Sequence, residues 1–334
     1  MAGDRGVFDL PAAARGIAHP QAVSMAPAAT AHPDHSPSEP ILSPLRFDPV
    51  MPPILLHLAD CDAWLPAVFA AHLSADEQAR ADRFRHAIDR DRFVVRRGLL
   101  RRLLAERLGI EAARVPLAPG PAGKPMLAAA ELRRAGGSTA NGPPGFNLAR
   151  SGGLALYAFL PPENARACAG PAAPDGPLLG VDLERIDTAR RTLADLRRIA
   201  EHFAPEESRF LQGLPDDEAA AVFYRLWTCK EACLKCLGTG IGGGGPTLAD
   251  VVIDLNPDGS VNGRARTADG RSWRVACFTA CPGHTAAVAV PAEEGRPEAN
   301  LPLDVDLQPI EPEAAERAVS RVAAPPPERA PEAP

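Results

Sequence analysis

Two separated strings of charged residues constrain the fold of this chain more than any other feature. The first reads Gly-Val-Asp-Leu-Glu at residues 180–184 and is typical of a short strand, in which Asp182 and Glu184 share one face. The second reads Trp-Thr-Cys-Lys-Glu-Ala-Cys-Leu-Lys and has helical spacing, so Glu231 and Lys235 lie one turn apart. If this helix packs beside the strand, three carboxylates and two lysines can hold a hard cation and a phosphate ester. The two strings together predict a site for phosphoryl-group transfer.

The chain of 334 residues is long enough for two ordinary domains, or for one large domain with tails. We predict an α+β fold of two similar α/β halves, 52–165 and 166–290, with metal and catalytic motifs in the second. The 37 prolines and 28 glycines are unevenly spread. They indicate a disordered N-terminal extension over 1–51 and a disordered Pro/Glu-rich tail over 291–334.

Within the two halves, hydrophobic periodicity and capping signals locate the main elements. Ser74 and Glu77 form a capping-box pattern that opens a helix, and Gly109 and Gly238 follow two long helical patterns as C-terminal stops. The predicted strands and helices are as follows: strands at 53–59, 146–148, 154–160, 178–183, 251–255, 273–279 and 285–290, and helices at 89–108, 193–202 and 216–237.

The charge of the chain is uneven. Its net charge is -6, yet residues 80–107 carry ten arginines against four acids. Such a segment suits an acidic protein, a phosphorylated small molecule or simply a solvated helix face. Aromatic side chains are not interleaved with the arginines as single-strand binding requires, so we predict no nucleic-acid partner.

The sequence also bears on cellular location and on the redox state of the cysteines. No apolar run approaches the roughly 18 residues of a membrane span, and the N-terminus lacks the pattern of a secretory signal. The seven cysteines are an odd number without a secretory context, which favours reduced thiols. We therefore expect a cytoplasmic protein with no membrane partner.

Three of the cysteines allow a different function. Cys229, Cys233 and Cys236 have the Cys-x3-Cys-x2-Cys spacing of radical S-adenosylmethionine enzymes, in which three thiolates hold an iron–sulfur cluster. The same spacing is that of a buried helical stripe, and cysteine packs as a small core residue. The packing interpretation is favoured because the three residues fall inside the helical pattern of 216–237.

Taken together, the motifs resemble those of the 4'-phosphopantetheinyl transferases of the Sfp type. The resemblance covers about 55 to 290. It is carried by residues 180–184, by Phe-Tyr-Arg-Leu-Trp-Thr-Cys-Lys-Glu-Ala-Cys-Leu-Lys at 223–235 with Gly-Thr-Gly at 238–240, and upstream by Arg92-Phe93, Gly123-Lys124-Pro125, Phe146-Asn147-Leu148 and Ser151-Gly152.

The resemblance implies a monomer whose halves are related by pseudo-twofold symmetry, with the active site in the cleft between them. It implies transfer of the phosphopantetheine arm of coenzyme A to a serine of an apo acyl or peptidyl carrier protein, with release of 3',5'-ADP. Asp182, Glu184 and Glu231 match the ligands of Mg2+, Glu231 as the candidate general base and Lys235 as the lysine that stabilises the leaving phosphate. The matched coenzyme A contacts are Arg83, Arg92, Lys124, Lys230 and Lys235.

One pair of residues departs from the family pattern. The family commonly carries Ser-His after Phe-Asn-Leu, where this chain has Ala149 and Arg150. Arg150 retains the capacity to bind phosphate, with a permanent charge, whereas Ala149 has no side-chain donor. We predict that Arg150 contacts coenzyme A. The departure also keeps open a non-catalytic relative that binds the carrier protein without modifying it.

Overall fold

The computed structural model describes residues 53–120, 123–137, 144–161, 179–238, 245–292, 303–313 and 316, all within one compact unit. The extension predicted over 1–51 lies outside the described residues, as do the predicted boundary at 165/166 and most of the glycine-rich segment after Gly238. No helix among the described residues is both long and apolar enough to cross a bilayer.

Eleven strands and six α-helices are present in the described part of the chain. The strands are β1 (Ile54–Asp60), β2 (Leu117–Pro119), β3 (Pro125–Leu127), β4 (Gly145–Ser151), β5 (Leu154–Leu160), β6 (Gly180–Arg185), β7 (Val252–Leu255), β8 (Val261–Arg266), β9 (Ser272–Cys281), β10 (His284–Pro291) and β11 (Val305–Pro309). The helices are α1 (Ala75–Asp82), α2 (Ala87–Leu108), α3 (Ala129–Arg134), α4 (Leu193–Ala200), α5 (Pro205–Gly213) and α6 (Asp216–Leu237).

The strands form two main sheets and one small hairpin. The first sheet has the order β11-β1-β5-β4 and the second β6-β10-β9-β8-β7, while β2 pairs with β3. All pairs are antiparallel except β1 with β11, which run parallel. This confirms the mixed α+β class.

Each sheet carries one long helix. The basic helix α2 buries its leucine stripe with Tyr157 and Phe159 of β5. Of its seven arginines, Arg90 is exposed, Arg101 is buried and the other five are half-buried. It ends where Gly109 adopts a left-handed conformation with φ 66°, as its sequence position predicts. Helix α6 packs on β6 and β10 of the second sheet.

The other face of the first sheet shares a core with the second sheet. Leu56 and Leu156 pack in the same buried cluster as Val181, Leu183 and Val288. Because β6 places Val181 and Leu183 in this shared core, alternation turns Gly180, Asp182 and Glu184 toward α6.

The tail differs from its prediction. We predicted disorder from 291 onward, but β10 extends to Pro291 and β11 adds a parallel strand to β1. Val305 and Leu307 contact the core shared by the two sheets. The composition of the segment does not indicate this short alternation of apolar residues, which is stabilised by pairing with the edge of β1 and by contacts with the core.

Candidate active site

The two acidic residues of β6 meet α6 at a position where the backbones approach closely. A Cβ at Gly180 would lie 1.9 Å from the carbonyl oxygen of Ala232 on α6. Only glycine fits here, and this close approach brings the strand acids Asp182 and Glu184 against the helix.

Helix α6 contributes Glu231 and Lys235 to the same place. The Lys235 ammonium lies 2.5 Å from Oδ1 of Asp182, and its side chain is 29% exposed. Asp182 and Glu231 are buried. The predicted meeting of strand and helix therefore exists for these residues, with Lys235 at the solvent side.

The carboxylates of Asp182, Glu184 and Glu231 repel one another, and Lys235 alone does not balance their charge. Burial, and then the neighbouring Asp182 carboxylate, raise the pKa of Glu184 to about 8 and that of Glu231 to about 7. Burial acts to lower the pKa of Lys235, but the carboxylates of Asp182 and Glu231 raise it above its ordinary value. One ammonium thus faces three carboxyl groups.

Two buried oxygen atoms of these acids, Oδ2 of Asp182 and Oε1 of Glu231, have no hydrogen-bond partner among the residues that the structure describes. Buried carboxylate oxygens of this kind are costly unless a cation or donor meets them. Among the described residues, however, no three His, Cys, Asp or Glu side chains already converge as a ready metal site. The donor set, carboxylate oxygens alone, is of the kind that a hard divalent cation prefers.

Strand β6 is held beside β4 by side chains instead of a backbone ladder. Oδ1 of Asn147 accepts a hydrogen bond from the Val181 amide at 2.9 Å, and Oγ of Ser151 accepts one from the Arg185 amide at 3.0 Å. These two bonds bracket Asp182 and Glu184. The sequence marks Asn147 only as part of the Phe-Asn-Leu motif. It gives no sign of the hydrogen bond, because the partner Val181 is 34 residues away.

Lys230 lies elsewhere. Its ammonium is fully buried and lies 2.6 Å from Oε2 of Glu207, and it also donates to the Leu248 and Val251 carbonyl oxygens. The structure therefore does not place the Lys230 ammonium beside the carboxylates of Asp182, Glu184 and Glu231. We had expected it there, facing the pyrophosphate. Adjacent helix residues diverge by about 100°, so Lys230 and Glu231 face different neighbours.

Lys124 is also occupied. Its ammonium donates to the carbonyl oxygens of Leu179 and Lys235, at 2.9 and 3.0 Å. Burial lowers its pKa. Lys124 thereby joins the β2–β3 region to the C-terminal turn of α6, where a positive charge is favourable. In this conformation it bonds backbone atoms, whereas we expected a nucleotide contact.

The arginines predicted to bind coenzyme A lie on and near α2. Arg92 makes a two-pronged ion pair with Asp62, with bonds of 2.8 and 2.6 Å. Arg83 follows α1 and is exposed. Arg150 is exposed on β4, whose alternation turns it with Phe146 and Leu148 to the α2 side of the sheet. Asp62 was missed because no sequence signal connects it to α2.

The three helix cysteines are core residues in this fold. Cys229, Cys233 and Cys236 are buried in α6. A hydrogen bond with Cys277, and then burial, raise the pKa of Cys229 well above the ordinary thiol value, and burial does the same for Cys233. Inert, protonated thiols of this kind fit the packing interpretation.

Comparison with known proteins agrees with this geometry. Residues 178–290 match the family model of the 4'-phosphopantetheinyl transferase superfamily. The 4'-phosphopantetheinyl transferase HetI of Nostoc sp. is 36% identical over 189 residues, which cover 56% of this chain and 67% of its own. The Synechocystis sp. protein slr0495 is 33% identical over 207 residues, 62% of this chain and 72% of its own. The 4'-phosphopantetheinyl transferase of Bacillus subtilis is 26% identical, covering 58% and 70%.

The chain belongs to the 4'-phosphopantetheinyl transferase superfamily. It is an enzyme of this class, and coenzyme A and a carrier protein are its substrates.

Proposed function

We propose that Asp182, Glu184 and Glu231 bind Mg2+ together with the diphosphate of coenzyme A, and that Glu231 and Lys235 perform the transfer. The observation that carries the proposal is that one buried carboxylate oxygen each of Asp182 and Glu231 has no hydrogen-bond partner in the described part of the chain, beside the Lys235 ammonium. Mg2+ suits a site of few carboxylates completed by substrate phosphate oxygens, and it would supply neutralisation of phosphate charge.

The reaction then follows from the residues present. The serine hydroxyl oxygen of the carrier attacks the β-phosphorus of coenzyme A, and the bond from that phosphorus to the bridging oxygen breaks. The bond's electron pair leaves with 3',5'-ADP. Glu231 accepts the serine proton as the general base. Lys235 stabilises the charge that develops on the departing phosphate, so positioning and electrostatics lower most of the barrier.

The basic residues predicted to bind coenzyme A fall into two sets, one that contacts the substrate and one that supports the site. Arg83, Arg92 and Arg150 have side chains near the surface, and Arg92 can exchange its carboxylate partner for a phosphate. Lys124 and Lys230 support the site through backbone and carboxylate contacts. We further propose a cytoplasmic monomer whose halves are related by pseudo-twofold symmetry, with coenzyme A bound in the cleft between them.

An intact-mass measurement tests the function. Apo acyl or peptidyl carrier protein, coenzyme A and Mg2+ should yield a carrier heavier by one phosphopantetheine arm, and chelation with EDTA should abolish the gain until Mg2+ is restored. Asp182→Asn should lower the rate strongly. No mass gain with several carriers would refute transfer and leave a carrier-binding relative.

A further inference from the structure

A buried ion pair lies directly behind the proposed general base. Lys230, the residue before Glu231 on α6, is 0% exposed at its side chain, and its partner Glu207 is 2% exposed. An ammonium has three hydrogens to donate. Here they go to Oε2 of Glu207 and to the carbonyl oxygens of Leu248 and Val251. None remains for a phosphate oxygen.

Glu207 is equally occupied. Its Oε1 accepts a hydrogen bond from the Ile253 amide at 2.8 Å, and its Oε2 accepts one from the Ala204 amide at 3.0 Å. One carboxylate therefore connects the start of α5, strand β7 and helix α6. Every charged or polar atom of the pair is paired, as a buried ion pair requires.

The pair also anchors one side of α6 to α5 and to the segment before β7. Lys230 and Glu231 are consecutive, so their directions about the helix axis are fixed relative to each other. When Lys230 is anchored by Glu207, the Glu231 carboxyl is held toward Asp182 and Glu184. A loosened anchor lets α6 turn or slide, and displacement of about 1 Å at a reacting group costs on the order of 100-fold in rate.

We infer that Glu207 is a positioning residue for the transfer, acting through Lys230 to orient Glu231, and that Lys230 is not a ligand of the coenzyme A diphosphate. This inference rests on the proposed function. Glu207 thereby has a role in turnover. The sequence does not indicate this role, because Glu207 lies outside both charged strings.

The test compares Glu207→Gln and Lys230→Met with a matched control. Glu206→Gln changes the neighbouring, exposed glutamate. Turnover per folded enzyme, the Kd for coenzyme A by calorimetry, the Mg2+ concentration for half-maximal rate and the thermal midpoint are measured for each. We expect both single variants to lose at least tenfold in kcat and to need more Mg2+, with the Kd for coenzyme A within about twofold of wild type. The control should match wild type in all four measurements.

The double variant Glu207→Gln/Lys230→Met adds a further constraint. It leaves no isolated buried charge, so its kcat should exceed that of the worse single variant. Should Glu207→Gln fail to fold, Glu207→Asp retains the charge and shortens the reach, and the same loss of kcat at unchanged Kd is expected.

Two results would overturn the inference. A tenfold weaker Kd for coenzyme A in Lys230→Met, with Glu207→Gln fully active, would make Lys230 a phosphate ligand. A lowered thermal midpoint with unchanged kcat and Mg2+ requirement would make the pair merely structural. Failure of the proposed function itself would appear in the wild-type enzyme, whereas failure of this inference appears only in the variants.

Discussion

The close approach of β6 to α6 allows a sharp prediction about Gly180→Ala. The added Cβ would meet two backbone atoms of α6, the Ala232 carbonyl oxygen at 1.9 Å and the Cys236 nitrogen at 2.5 Å. Ordinary contact begins at 3.4 Å, so the strand and helix must separate by about 1.5 Å. Neither atom can rotate away as a side chain would.

The expected magnitude follows from this geometry. Overpacking a core with one extra methyl costs typically about 1–3 kcal/mol, and occasionally more. Because both opposing atoms are backbone, we expect a loss of at least about 3 kcal/mol in the free energy of unfolding. With a urea m-value of roughly 2–3 kcal/mol/M, the unfolding midpoint should fall by about 1 M or more. The separation also moves Glu231 and Lys235 from Asp182, so transfer per folded molecule should fall about 100-fold.

Gly213→Ala is the matched control. Gly213 ends α5 and does not adopt a positive φ, and no heavy atom of the described residues lies within 4 Å of the position that a Cβ would take there. Alanine should leave stability unchanged or raise it by up to about 1 kcal/mol. Urea denaturation followed by fluorescence, together with the carrier mass assay, measures both variants. If the free energy of unfolding of Gly180→Ala lies within about 0.5 kcal/mol of the wild-type value and the variant remains active, the reasoning from close backbone approach is refuted.

Three other substitutions probe separate parts of the site. Asn147→Ala leaves the buried Val181 amide unpaired and should cost about 1–3 kcal/mol in urea denaturation; an unchanged midpoint would mean that the bond does not hold β6. Lys235→Met should lower kcat by roughly 100- to 1,000-fold, the cost of removing a preorganised charge, and a rate near wild type would exclude its role at the leaving phosphate. Arg150→Ala should weaken coenzyme A binding in calorimetry, and unchanged affinity would remove Arg150 from the substrate contacts.

Much of the fold follows from local signals in the sequence. The strand 154–160 and the helix 216–237 have the predicted bounds, and the capping box of Ser74 with Glu77 is present. Periodicity and capping predict these elements because each depends on neighbours within a few residues. The strands β2, β3, β8 and β11 were missed, since short strands of this kind depend on a partner strand for their stability.

The sequence predicts which residues form the proposed site better than it predicts which atoms those residues contact. Alternation along β6 and helical spacing along α6 already place Asp182 with Glu184 and Glu231 with Lys235. The sequence could not reveal that Lys230, one residue from Glu231, faces a different set of neighbours. That depends on how α6 is rotated against β6 and α5, which packing decides.

Local sequence thus determined which chemical groups this enzyme carries and the element on which each lies. The tertiary structure alone decided their partners: Lys235 with Asp182, Lys230 with Glu207, Arg92 with Asp62 and Asn147 with Val181. The physical reason is that periodicity is a property of a few adjacent residues, whereas these contacts join residues 23 to 53 positions apart along the chain. They form only when α2 and α6 pack on their sheets and the two sheets pack against each other.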